Sequence, residues 1–279
     1  MTVRLFIIQH DCGHGSFFRS RRLNTLLGHL CSAVTFTPYT FWRRQHSKHH
    51  ACFNNLDRRT AGLDIYSGCA TTREYQALPP ARRFIFRAVR HLLITHFLLP
   101  PLVFLVLYRV PFDAPASWAR ERASVYLTNL TIAGILGLLV LILRLWPVIA
   151  VQLPIIMIAS TVGVWLFSVQ HRFEQSQWAR HEHWDFVRAS LAGSSYLKLP
   201  GVLQWFTGNI GFHHIHHLAS RVPNDRLQEC HEVVPAVASM VTALTLREAL
   251  AAPSFALWYE ELGHMVRFPY GDPDGSSMA

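Results

Sequence analysis

His10-Asp11-Cys12-Gly13-His14, His46-Ser47-Lys48-His49-His50 and His213-His214-Ile215-His216-His217 decide the reading of this chain. Histidine is the commonest neutral metal ligand and titrates near neutrality. On a helix, residues at i, i+3 and i+4 share a face. His10 and His14 fit that spacing, as do His46, His49 and His50, and His213, His216 and His217. Each cluster is expected to aim two or three imidazoles at one point. These eight histidines exceed what a four-coordinate zinc holds. They suit two metals with five or six ligands each, and iron accepts imidazole while leaving positions open for oxygen. His29, His91, His96, His231 and His264 stand apart and are expected to be ordinary surface or core residues.

The 279 residues suffice for one large domain, expected over 1–270, with 271–279 as a disordered tail. Hydrophobic residues make up 51% and charged residues 15%, where a soluble chain carries about 25% charged. A membrane protein with a polar side is implied. The net charge is +9, with only Lys48 and Lys198 as lysines. No basic helix or RNA-binding motif accompanies that charge, so nucleic acid is set aside in favour of positive-inside loops facing anionic headgroups. The five cysteines form no CxxC pair, which argues against a disulfide framework or a thiolate metal site. No signal peptide is visible, and no GxGxxG fingerprint marks a flavin or nicotinamide site.

The three clusters, with flanks Gln9-His10-Asp11-Cys12-Gly13-His14-Gly15-Ser16-Phe17-Phe18 and Gly208-Asn209-Ile210-Gly211-Phe212, resemble the histidine boxes of the membrane fatty acid desaturases. Within that family the likeness is to acyl-lipid, Δ12/omega-6-like enzymes, and it runs from the first box to about His231. The resemblance implies an all-α integral membrane protein whose cytoplasmic helical layer holds a di-iron site. It implies as metal ligands His10, His14, His46, His49, His50, His213, His216 and His217. It requires one more histidine outside the boxes, for which His171 is the candidate. His181 and His183 are two apart and read as surface residues; His214 reads as a packing residue. The cofactor would be two non-haem iron ions. The partners would be an acyl lipid, O2, membrane lipids and an external electron donor, a ferredoxin or a cytochrome b5-type protein. Asp11, Asp64, Glu174, Asp185 and Asn209 are polar neighbours of ligands, either orienting them or simply solvated. Phe17, Phe18, Phe36, Tyr39, Phe41 and Trp42 either line an acyl tunnel or form an interfacial belt.

Leu92–Val110, Tyr126–Leu145 and Val148–Val169 are each long enough to cross a bilayer, at roughly 30 Å as helix. All ligands must meet on one side, so the crossings between His50 and His171 must be even. Leu92–Val110 is expected to be a hairpin broken at Pro100-Pro101, with Tyr126–Leu145 going out, Trp146-Pro147 turning and Val148–Val169 returning. The rival arrangement has Leu92–Val110 crossing and the other two sharing a bent return. Leu23–Thr37 reads as an interfacial helix, Arg172–Leu199 as cytoplasmic helices, and Glu229–Glu261 as a cap on that layer. The resemblance also implies a pair of membrane helices ahead of the first box, where this sequence has only Arg4–Gln9; an N-terminally truncated domain is the expectation.

An O2-dependent desaturase is the leading function. A fatty acyl or carotenoid hydroxylase or ketolase on the same scaffold remains open, as does an inactive fragment. A metal transporter fits less well, because transporters carry polar ligands inside their spanning helices and these clusters lie outside the three apolar stretches.

Overall fold

A computed structural model describes residues 1–59 and 68–268; Asp64 and the tail 271–279 lie outside the described residues. Helix α1 (Thr2–His14) carries the first box. It stops at Gly15, where φ is 71°, a left-handed conformation that glycine adopts without a Cβ clash. The Gly15 and Ser16 N–H groups close its end on the carbonyls of Cys12 and Asp11, at 3.1 and 3.0 Å. Helix α2 (Arg21–Thr35) starts where the Ser20 hydroxyl accepts the Leu23 N–H. Its exposed Leu23, Leu26, Leu30 and Val34 form one stripe, suited to a membrane interface. Helix α3 (Tyr39–Cys52) carries the second box.

Strand β1 (Ala70–Thr71) leads into α4 (Thr72–Gln76), started by a capping box between Thr71 and Glu74, and then into α5 (Pro80–Val89). A π-turn over Ile94–Leu98 precedes α6 (Leu99–Leu105), and a 3-10 turn over Leu107–Arg109 follows. The expected break at Pro100-Pro101 is corrected here. Both prolines sit in the first turn of α6, where a missing N–H leaves no bond unmade. The bend, 51°, falls instead between Val89 and Ile94.

Among the described residues, helices α7 (Ala119–Leu143) and α8 (Leu145–His171) are the two continuous helices long and apolar enough to cross a membrane; counting the bent segment from Pro80 to Arg109 gives up to three. Leu141 is 84% exposed and Leu130 72%, an arrangement that only a hydrocarbon solvent makes favourable. The turn between α7 and α8 is Arg144 alone, at φ 68° and ψ 167°. Trp146 and Pro147, expected to form it, belong to the first turn of α8. The far end of this hairpin carries only Arg144 as a charge. Its near end holds Glu121, 2.9 Å from Arg44 of α3, and His171. The chain between α3 and α7 therefore leaves and returns on the same side of the hairpin.

The remainder builds the polar layer: α9 (Phe186–Ala192), β2 (Ser195–Leu197), α10 (Gly201–Phe206), α11 (His213–Leu218), α12 (Leu227–Val233), α13 (Pro235–Met240), β3 (Thr242–Leu244), α14 (Leu246–Ala251), β4 (Phe255–Tyr259) and β5 (His264–Arg267). β1 pairs parallel with β4 (Ala70 opposite Leu257), and β4 antiparallel with β5. β2 pairs parallel with β3 (Ser195 opposite Thr242). The class is helical as expected, with these short strands added. Arg172–Leu199, expected to be helical, holds one short helix, a 3-10 turn over His181–His183 and β2.

Candidate metal centre

α1, α3, α8 and α11 bring nine histidines to one buried layer. His10, His14, His46, His50 and His216 place one nitrogen each within 4.8 Å of one another. His49, His171 and His217 form a second group of the same kind. His213 joins the second group, its Nε2 3.0 Å from the Nε2 atoms of both His171 and His217. The two groups adjoin, since the rings of His50 and His217 stack at 4.2 Å. Each box aims two imidazoles at one point, as expected, while the third histidine of the second and third boxes goes to the other group. At 3.6 residues per turn, His49 and His50 point about 100° apart. His46 and His50 accordingly face the first group, and His49 the second. In the third box His216 goes to the first group, and His213 and His217 to the second.

Adjacent nitrogens are spaced as neighbours in a coordination shell are. His50 Nε2 lies 3.1 Å from His46 Nε2 and 3.0 Å from His216 Nε2; His49 Nε2 lies 3.2 Å from His171 Nε2. Ligands at about 2.1 Å from one ion sit ~3.0 Å apart when adjacent and ~4.2 Å when opposite. Each neutral imidazole has one N–H and one lone pair, so shared hydrogens cannot satisfy every nitrogen in so dense a set. The buried Nε2 of His14 has no hydrogen-bond partner among the described residues. Burial, with the neighbouring His10 imidazole, pushes His14 down to about 2. Burial first and neighbouring imidazoles second hold His46, His50, His213, His216 and His217 well below the ordinary histidine range. These six are neutral at physiological pH, the form that binds a metal.

Around this layer the sequence reading left roles open. Asp11 is buried, its Oδ1 3.6 Å from His10 Nδ1, and its Oδ2 accepts the backbone N–H and side-chain amide of Asn224 at 2.9 and 2.7 Å. It thus ties the first box to the chain beyond the third. Asn209 takes a positive φ in the turn before α11. Asp185 caps α9, accepting the Arg188 N–H at 2.7 Å, and Glu174 is exposed. His214 turns away to His231, 3.1 Å off. His181 pairs with Asn55 at 3.2 Å, and His183 is exposed.

Trp42 stacks on His46 at 4.7 Å and lines an apolar cavity of about 360 Å³. That cavity runs between α1, α3, α6 and α8, past Phe6, Val103 and Ile156, to His10, His46, His49 and His213. Its size falls in the range of ligand pockets. The other aromatic residues divide: Phe36 and Phe41 are core, Tyr39 donates to the Cys12 carbonyl at 2.7 Å, and Phe17 and Phe18 are exposed. Phe53 and Asn224, both at the site, were missed because their contacts come from distant parts of the chain.

Residues 1–246 match the fatty acid desaturase family. The chain belongs to that family. It is 42% identical over 266 residues to a fatty acid desaturase of Bacillus subtilis, covering 95% of this chain and 74% of that one. A probable fatty acid desaturase of Sorghum bicolor is 30% identical, covering 82% and 59%. A Synechocystis sn-1 acyl-lipid omega-3 desaturase (ferredoxin) is 27% identical, covering 82% and 63%. The chain therefore spans less than two thirds of the plant and cyanobacterial relatives. As members of an oxidoreductase family go, it has the expected metal-capable histidine groups and membrane-length helices.

Proposed function

We propose that this chain inserts a double bond into the acyl chain of a membrane lipid, using O2 and two non-haem irons. The observation that carries this is the apolar cavity ending on two adjoining groups of imidazoles. His10, His14, His46, His50 and His216 would hold one iron; His49, His171, His213 and His217 the other. Bound there, iron supplies the O2-derived oxidant that an unactivated C–H bond requires. The chain's own residues do the rest. Trp42 fixes His46, Asp11 fixes the first box, and the walls of the cavity hold the acyl chain extended and exclude water. The relatives' names favour desaturation, the removal of two hydrogens from neighbouring carbons, over hydroxylation. The name of the Synechocystis relative favours a ferredoxin as the external donor. A cytoplasmic histidine layer is supported by the positive-inside rule, since the far end of the α7–α8 hairpin has only Arg144 as a charge.

The test is metal analysis of purified protein, together with lipid products from a desaturase-deficient host. Two irons per chain, nitrogen ligation and a new double bond are expected. Zinc in a single site, or hydroxylated lipid as the main product, would overturn the proposal.

A further inference from the structure

Aromatic neighbours of the histidine layer lead mostly inward. Trp42 belongs to the core, and Phe167, 5.2 Å from His49, lines the acyl cavity. Phe53 leads the other way. It follows α3, is buried, and sets its ring 4.1 Å from that of His217 and 6.4 Å from that of His171. On its outer side it meets Trp184 at 6.3 Å, edge-on, and Phe186 at 6.1 Å. The Trp184 Nε1–H donates to the Phe53 carbonyl at 2.9 Å. Trp184 is half-buried and lines a surface cavity of about 270 Å³ with Trp178 and Arg188. Beside it Phe186 is 40% exposed and Val187 47%. One hydrogen bond, the bonds of Phe53 and one van der Waals contact thus join the surface to the His217 imidazole without a gap.

The proposed reaction draws electrons from a separate protein, and tunnelling falls off more slowly through bonds and hydrogen bonds than through space. We propose that Trp184 and Phe53 form the electron-entry path, and that the exposed Phe186, Val187 and Arg188 of α9 dock a small iron–sulfur carrier. Arg180 is engaged by both Glu260 and Asp57. Arg188 is exposed and makes no ion pair among the described residues, so it is free to meet a carboxylate of the carrier. Two reduced carriers deliver one electron each. These two electrons, two protons and the two hydrogens removed from the substrate reduce one O2 to two waters. Trp184 and Phe53 couple the two redox centres and are themselves neither oxidised nor reduced.

This inference rests on the desaturase proposal, and its test separates the two. Iron-loaded full-length protein in detergent is mixed anaerobically with a reduced plant-type [2Fe–2S] ferredoxin, and ferredoxin oxidation is followed by absorbance. Reduced methyl viologen serves as a small donor in parallel. Trp184→Leu is expected to slow ferredoxin oxidation by at least about tenfold, the scale of losing an anchoring tryptophan, and Trp184→Phe to restore part of the rate. Arg188→Glu should raise the ferredoxin concentration needed for half-maximal rate and weaken its salt dependence. Reduction by methyl viologen and iron content should stay at wild-type levels in all three, and Trp205→Leu, on a separate exposed surface, should behave as wild type throughout. Wild-type ferredoxin kinetics in both Trp184→Leu and Arg188→Glu would overturn the path. A wild-type protein that neither donor can reduce would overturn the metal-centre proposal beneath it.

Discussion

At the scale of single residues, the division of each box between two groups sets what substitutions should do. His14→Ala should lower iron content from about two per chain to about one, because His14 serves only the first group. His213→Ala should empty the second group and spare the first, while His214→Ala, which faces His231, should retain both; metal analysis of the three purified variants checks this. Acidity acts on the same residues. His14, His46, His50, His213, His216 and His217 titrate lower in the fold than in the unfolded chain. The unfolded chain then binds more protons, so their contribution to stability is whole above about pH 6.5. It is lost as pH falls below that value toward the folded ones. Melting of the metal-free protein in detergent should be nearly flat from pH 7 to 8 and drop steadily toward pH 5; a flat profile throughout would show that these imidazoles are not buried as described. The box residues could be named from spacing alone, since i, i+3 and i+4 is a local property. Which metal each histidine serves could not, because His50 and His216 meet across 166 positions of sequence.

Between elements, α2 packs closely against the start of α3 at Gly28. A Cβ on Gly28 would lie 2.4 Å from the Tyr39 ring, and Tyr39 in turn holds the Cys12 carbonyl inside the first box. Gly28→Ala should therefore force these helices apart, cost on the order of 1–3 kcal/mol and loosen metal binding at His10 and His14. Thermal unfolding with parallel iron titration measures both; unchanged stability would mean that the tyrosine swings aside freely. Long helices such as α7 and α8 were visible in the sequence because twenty-odd apolar residues in a row have few other uses. Their turn was misplaced because Trp146-Pro147 carries the stronger local signal, yet proline fits the opening turn of a helix and the chain reverses at Arg144. The short strands β1 to β5 escaped notice, as two to five residues paired to distant segments leave too little periodicity to read.

For the whole molecule, the near end of the α7–α8 hairpin, the end of α3 and His171 share one level. A cysteine introduced at Asp113 should be labelled by an impermeant reagent from the same side as one at Arg188, and one at Trp146 from the opposite side only. Opposite-side labelling at position 113 would mean that the bent segment ahead of α7 crosses the membrane. The sharing of α3 and α11 between both histidine groups has a further consequence. Neither helix can settle onto one ion without drawing the second set of imidazoles into place, so the first ion bound assembles the seat of the next. Loading should then be positively cooperative, with protein carrying a single iron scarce at every point of a titration.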